Sequence, residues 1–398
     1  MSRGGIALCS GAGLALLLLA GVSEAAVGDV VVVADGLHSP RGLDFAPNGQ
    51  LFVAEAGDEA DGYSETGLVS RVDYWLGAQY SRVPVLTGLP TYGDVGPADV
   101  SFAGMKAYVP IGLGTDANNR DALSGAKKAL LGSLISFNPG FGNLKKVADV
   151  SALERASNAD GYTNPPGTED PIDSNPFGVV ALPDRQIVVD AGANAMYAIK
   201  ENGHAKLLAA FTAEADGSQH IPSRVAQGPD GYLYVGEEAF SLPAAHVWKI
   251  PPGGCDTTSA TDCKSHYLTD SHGNAVTFGH IMDLEFDRSG NLYVLEFPGF
   301  GGPPSGNDLV KVDRHGNKTV IYSGLSNPGG MALSPNGDYA FVSNRTTCWG
   351  VAYQPPFPPG ASLSCADPQN PQPAGGAGLY GQVLRISLTD GHHHGWDD

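Results

Sequence analysis

Four carboxylates and one amide recur at a single place in a repeating strand pattern. Glu55, Asp190, Glu237, Glu296 and Asn344 each close a short apolar strand that follows a tight turn, as in Gly228-Pro-Asp-Gly-Tyr-Leu-Tyr-Val-Gly-Glu237. A second set, His38, Asn175, His220, His280 and Asn327, stands just before the preceding strand of the same units. Carboxylates held around a common axis raise one another's pKa or demand a cation, and a hard divalent ion with oxygen ligands, Ca2+ first, relieves the repulsion. Glu55, Asp190, Glu237, Glu296 and Asn344 are therefore the candidate metal ligands, and His38, Asn175, His220, His280 and Asn327 the candidate ligand-binding groups. Asp190, His220 and His280 are the candidates for catalysis, with a histidine or the aspartate acting as general base beside a metal-bound water. The competing reading is structural: a strand-end carboxylate accepts hydrogen bonds that fix neighbouring units, and a histidine at a loop start packs or faces solvent. The two readings differ in whether the acids converge on the axis or point between units.

The units that position these residues read as β-sheets. Ala46-Pro-Asn-Gly-Gln-Leu-Phe-Val-Ala-Glu55, Leu182-Pro-Asp-Arg-Gln-Ile-Val-Val-Asp190, Phe286-Asp-Arg-Ser-Gly-Asn-Leu-Tyr-Val-Leu-Glu296 and Leu333-Ser-Pro-Asn-Gly-Asp-Tyr-Ala-Phe-Val-Ser-Asn344 repeat the same turn and strand. Phe102-Ala-Gly-Met-Lys-Ala-Tyr-Val-Pro110 is a divergent sixth copy, with Ile111-Gly112 where the acid would stand. An Asn-Gly or Asp-Gly turn needs φ > 0, and the β-branched and aromatic run after it suits a buried strand. First strands begin at Pro40, Pro97, Pro176, Pro222, Ile281 and Pro328, and third strands follow each variable loop. Six four-stranded units describe an all-β, six-bladed β-propeller. The last unit lacks an outer strand, and Asp29-Val-Val-Val-Val-Ala34 is unused before the first, so the N-terminal strand is expected to complete the last blade. Residues 58–67, 112–132, 149–175, 238–245, 297–307 and 344–381 then form long loops on one face, where binding is expected.

Among 398 residues, 54 glycines, 29 prolines and only 16% charged residues fit many short strands and turns. The net charge of -19 argues against nucleic acid or an anionic membrane as partner, leaving cations, sugars and neutral small molecules. A positive start at Arg3, an apolar stretch over residues 6–22 and small residues around Ala25-Ala26 read as a signal peptide over residues 1–26, with an uncleaved anchor as the alternative. Residues 27–390 form the propeller, and residues 391–398, with His392-His-His394, a flexible tail. Cys255, Cys263, Cys348 and Cys365 fall into two local pairs, read as two disulfides of an exported protein, periplasmic or extracellular; a zinc site lacks the close Cys-x-x-Cys pair.

Those repeats, with Ala34-Asp-Gly-Leu-His-Ser-Pro-Arg-Gly-Leu43, Asp173-Ser-Asn-Pro-Phe-Gly178 and Val189-Asp-Ala-Gly-Ala-Asn194, resemble the ScyD/ScyE family of exported bacterial propellers, related to NHL-type repeats. The resemblance implies an exported bacterial propeller of six blades and carries no catalytic motif. The insertion holding Cys348 and Cys365 and the histidine tail depart from it. Gluconolactonase and regucalcin-type propellers place a Glu, an Asp and Asn residues around a divalent ion, which makes lactone or ester hydrolysis the alternative chemistry, by fold-level analogy.

No nucleotide cofactor is expected, since the chain has no P-loop or dinucleotide fingerprint, and it has neither a Gly-x-Ser-x-Gly elbow nor His-Glu-x-x-His. The loops 58–62 and 116–121 lack the terminal Glu of a calcium-binding hand. The leading expectation is a monomeric binding protein for a small molecule, with a divalent cation, accessory to a secreted-product pathway. A metal-dependent lactone or ester hydrolase and a protein-interaction scaffold are the alternatives, and no membrane contact is expected after signal cleavage.

Overall fold

A computed structural model of the chain describes residues 26–58, 60–73, 81–162, 172–255, 266–297, 306–345 and 381–389. The signal segment, Cys263, the insertion with Cys348 and Cys365, and the histidine tail lie outside the described residues. The strand β1 (Val30–Leu37) comes first, and blade one follows as β2 (Pro40–Phe45), β3 (Leu51–Glu55), β4 (Ala60–Asp73) and β5 (Ser81–Gly93). Blade two is β6 (Ser101–Ala103), β7 (Lys106–Ile111), β8 (Ser133–Asn138) and β9 (Gly142–Asp149), with α1 (Ala117–Ala122) between β7 and β8 and α2 (Val150–Ser157) after β9. Blade three is β10 (Pro176–Ala181), β11 (Gln186–Asp190), β12 (Ala195–Ile199) and β13 (Ala205–Ala210), and blade four β14 (Ile221–Gln227), β15 (Leu233–Glu238), β16 (Ala245–Ile250) and β17 (Thr277–Phe278). Blade five is β18 (His280–Phe286), β19 (Leu292–Phe297), β20 (Asp308–Val312) and β21 (Lys318–Ser323), and blade six begins with β22 (Gly330–Leu333), β23 (Tyr339–Asn344) and β24 (Gly381–Ser387).

Six antiparallel four-stranded sheets make a β-propeller, as the repeats require. The last sheet has the order β1-β24-β23-β22, and β1 pairs antiparallel with β24 from Val30↔Ile386 to Leu37↔Gly381. The N-terminal strand thus supplies the outer strand that blade six lacks.

The core is divided into six layers, one at each junction between blades. In β11, Val188 faces Tyr108 and Leu134 of blade two, while Ile187 and Val189 face Leu233 and Trp248 of blade four. Because the middle strands are covered on both faces, they read as unbroken apolar runs instead of alternating ones. Three expected loops contain regular structure. Most of residues 58–67 extends β4, which pairs with β5 in a long hairpin, and the insertions of blade two fold partly into α1 and α2. The fourth strand of blade four has only two residues, Thr277 and Phe278.

The six innermost strands meet at the axis. Two residues after Pro40, Pro97, Pro176, Pro222, Ile281 and Pro328 stand Gly42, Asp99, Gly178, Arg224, Asp283 and Gly330. Arg224, 2% exposed, crosses the channel and donates to the carbonyl oxygens of Phe177, of Ala98 at 2.9 Å and of Gly329 at 3.1 Å, which belong to three other blades. Its Nε lies 3.9 Å from Asp99 and 3.8 Å from Asp283. The glycines make room: a Cβ on Gly42 would come within 1.8 Å of Asp99 Oδ1, and one on Gly178 within 3.0 Å of the Arg224 backbone. Removing one partner of a buried ion pair costs about 3–5 kcal/mol. Arg224→Leu is therefore expected to lose stability of about that size, read as a fall in the urea denaturation midpoint. An unchanged midpoint would show that the arginine does not hold the ring together.

Candidate functional site

The strand-end acids are placed as the repeat implies, but each is bonded inside its own blade. Glu55 accepts from Arg82 of β5 through both oxygens, at 2.9 and 2.7 Å, and from His38 N at 2.7 Å. Asp190 accepts from Ser174 Oγ and Asn175 N, each at 2.6 Å, and from the backbone N of Gly192 and Ala193. Glu237 accepts from His220 Nδ1, His246 N and Nδ1, and Trp248 Nε1 at 2.8–2.9 Å. Glu296 accepts from Gly279 N, and Asn344 Oδ1 from Ser326 N. The common partner is the segment just before the first strand, so each of these residues ties the crossover into its blade to the end of the second strand. Both oxygens of Glu55, Asp190 and Glu237 are engaged by these donors, and among the described residues no three His, Cys, Asp or Glu side chains are grouped to hold a metal ion.

The second set is equally bound into the fold. His220 lies between Glu237 and Glu214, and although burial lowers its pKa, the two carboxylates raise it overall. Burial pushes Glu237 up, but hydrogen bonds from His220, His246 and Trp248 hold its carboxyl below the ordinary range. His280 is fully buried and accepts from Ala239 N, and Asn327, 6% exposed, adopts φ 44°. His38 contacts Asp58 through Nδ1. The missing acid of blade two also has a physical reason. A Cβ on Gly112 would lie 2.5 Å from Asn175 Oδ1, so glycine there admits the asparagine of the next blade.

A different set of groups faces the channel. On the innermost strands, Asp99, Arg224 and Asp283 share a face with Asp44, Ser101 and Glu285 two residues further on, by the period of two. They line a cavity of about 320 Å³ in the half of the channel toward the tight turns, together with Phe102, Gln227 and Phe286. Each acid also joins its blade to the next: Asp44 accepts from Phe102 N at 2.9 Å, Asp99 from Val179 N at 2.9 Å, Asp283 from Met331 N at 2.8 Å and Glu285 from Leu333 N at 2.7 Å. Burial drives all four upward: Asp44 and Asp283 reach about 7, Asp99 is raised against the pull of Arg224, and Glu285 goes well above its ordinary range. At neutral pH Asp44 and Asp283 are therefore partly protonated, and a protonated carboxyl donates as well as accepts. On the other side of Arg224, Glu238 faces away from the Glu237 network, and burial pushes it to about 7 despite Arg224 and Arg41.

Sequence reasoning singled out the ends of the second strands and passed over the faces of the first. The signal was present: acids two and four residues after the entries at Pro40, Pro97 and Ile281, where period two turns them to the axis.

No family model matches the chain. A gluconolactonase of Zymomonas mobilis is 27% identical over 174 residues, covering 40% of this chain and 42% of that protein, so the match spans less than half of either. Among solved structures, a Bacteroides thetaiotaomicron protein of unknown function aligns with a TM-score of 0.52 at 10% identity, covering 90% of this chain and 75% of that one. A Thermus thermophilus candidate oxidoreductase (glucose dehydrogenase) aligns at 0.50 with 14% identity, covering 90% and 99%. Pseudomonas fluorescens PhoX, solved with the transition-state analogue vanadate, also aligns at 0.50, with 10% identity and coverage of 93% and 97%. At these identities the structures share the fold alone.

Two outcomes test the placement of these acids. Glu237→Gln leaves His220 and His246 without their carboxylate, and a loss of about 3–5 kcal/mol in urea denaturation is expected; wild-type stability would show that the network does not hold blade four. For Asp44 and Asp283, a folded pKa of about 7 against an ordinary 3.8 means that the native state keeps protons the unfolded chain has lost. Their contribution is most favourable below about pH 4 and fades as pH rises toward 7, because stability falls with pH wherever the native state binds more protons. The denaturation midpoint should therefore drop between about pH 5 and pH 8, and drop less in Asp44→Asn. A midpoint that rises over this range would mean the channel acids are ionised.

Proposed function

We propose that the chain is an exported binding propeller of the ScyD/ScyE type, monomeric, which takes a small neutral ligand bearing hydroxyl or carbonyl groups into the channel cavity. The observation that carries this reading is the cavity of about 320 Å³ lined by Asp44, Asp99, Asp283 and Glu285. Its size suits one small molecule, and a few placed polar groups among apolar ones are what such sites use for orientation. A partly protonated carboxyl both donates and accepts, which suits a neutral polar ligand, whereas a net charge of -19 disfavours an anion. Arg224 closes the cavity on the side of the strand starts. This reading places the ligand in the tight-turn half of the channel and not among the long loops of the opposite face, and it needs no cation.

A second reading, hydrolysis of a lactone or ester, is favoured by the Zymomonas mobilis gluconolactonase match. The proton-handling group would then be Asp44, pushed by burial to about 7, since a carboxyl tuned near the working pH can take and return a proton. Asp190, His220 and His280 are committed to the blades.

The test is a thermal-shift panel of neutral sugars and lactones beside the corresponding sugar acids, with pH-stat assay of the lactones. Neutral compounds are expected to raise the melting temperature of the wild type and to lose that effect in the pair Asp44→Asn and Glu285→Gln. Release of acid from a lactone, lost in the same pair, would select the hydrolase reading. Hits restricted to anions, or unchanged in the pair, would sink both.

A further inference from the structure

Away from the channel, the C-terminal end of α2 gathers oxygen atoms with little to neutralise them. Glu154 is 1% exposed, and its Oε2 accepts from Ala159 N at 3.2 Å and Tyr197 Oη at 3.3 Å. The helix ends at Asn158 in the left-handed region, φ 41°, and turns Asp160 back toward blade three. The Asp160 carboxylate accepts from Tyr162 N and from Asn194 Nδ2, each at 2.9 Å. Among the described residues no lysine, arginine or histidine pairs with either acid. A helix C-terminus adds the negative end of the backbone dipole to the same place.

Two amide oxygens make the deficit sharper. Asn194, in the turn between β11 and β12, is 2% exposed, and its Nδ2 donates to both Asp160 and Gln219, at 2.9 and 3.0 Å. Those bonds fix the amide beside Asp160 and leave its Oδ1 buried without a donor. Asn158 is the same case: its Nδ2 donates to Tyr162 O at 3.2 Å, and its Oδ1 is buried without a donor. A buried acceptor without a partner is costly, and native structures fill such positions with water or an ion.

We propose that Glu154, Asp160, Asn158 and Asn194 form a calcium site, in which carboxylate and amide oxygens ligate one divalent cation that pins the end of α2 to blade three. The donor set is all oxygen, mixes carboxylates with amide carbonyls, and comes from a helix end and a turn, which suits Ca2+ better than the octahedral, water-rich Mg2+ or the nitrogen- and sulfur-seeking Zn2+. The site is separate from the strand-end ring and from the channel, so it stands or falls independently of the ligand proposed there.

The full chain, stripped with EDTA, would be titrated with Ca2+ in a thermal melt and with Tb3+ by luminescence excited through tyrosine, Tyr197 being hydrogen-bonded to Glu154. One ion per chain is expected, with Ca2+ displacing the Tb3+ signal, and Asp160→Asn should weaken binding at least tenfold. Asn194→Asp puts a carboxylate where the orphan oxygen stands, so it should melt lower in EDTA and gain a larger Ca2+ shift than the wild type, an outcome readable even where Asp160→Asn does not fold. Absence of saturable binding, binding unchanged in Asp160→Asn, or an Asn194→Asp chain that Ca2+ does not rescue would overturn the proposal.

Discussion

The propeller depends on one guanidinium at its axis. Where six strands start side by side around a narrow channel, some carbonyl oxygens turn inward, beyond the reach of any sheet. Arg224 answers three of them at once, from blades two, three and six, with a single side chain rooted in blade four. A lysine could not do this, because the planar fork presents several donors in fixed directions while an ammonium is a point charge on a flexible stem. The guanidinium also stacks 4.5 Å from the Phe177 ring, which fixes the plane in which the fork lies. One positive charge at that depth in turn pulls Asp99 and Asp283 down against the effect of burial, which still leaves Asp283 at about 7.

Acids in this protein therefore do two kinds of work at two radii. At the ends of the second strands they are buried within a blade and bind the crossover that leads into it. On the first strands they reach from one blade to the backbone of the next, from Asp44 to Phe102 and from Glu285 to Leu333. The first kind makes blades and the second makes the ring. The second kind also lines the cavity in the channel.

The fold was legible in the sequence because the turn-and-strand unit repeats with its apolar run intact and because one strand was left over at each end to pair. The candidate site was legible only by half. Aligning the repeats put Glu55, Asp190, Glu237 and Glu296 at one structural position, which is correct, but equivalence around a ring does not say which way a side chain points. Glu237 and Glu238 show the difficulty: adjacent residues on one strand, the first held by two histidines and a tryptophan, the second turned to Arg224 and Arg41. Direction follows from the pleat, and the pleat is fixed by register, which small features set. Gly112 gives way to Asn175, and a shift in register between Pro222 and Val225 brings Arg224 to the axis. The helix end at Asn158 was out of reach for another reason, since α2 sits in a segment whose only sequence mark was its length.

Closure of the last blade by β1 sets an order of events in folding. The partner of the first strand made is the last, since Val30 pairs with Ile386. Each intermediate blade can form from residues near in sequence, but the ring cannot close until almost the whole chain is present, and contacts of such long sequence separation are slow to form. Until then β1 is an unpaired edge carrying Val30, Val31 and Val32, which remain 40–45% exposed even in the finished sheet. A half-made chain is thus an open stack of blades with a sticky apolar strand at one end, prone to pair with another copy. Dilution or a chaperone that shields the first forty residues would favour the closed monomer, whereas crowded refolding would favour chains whose first strand completes a neighbour's last blade.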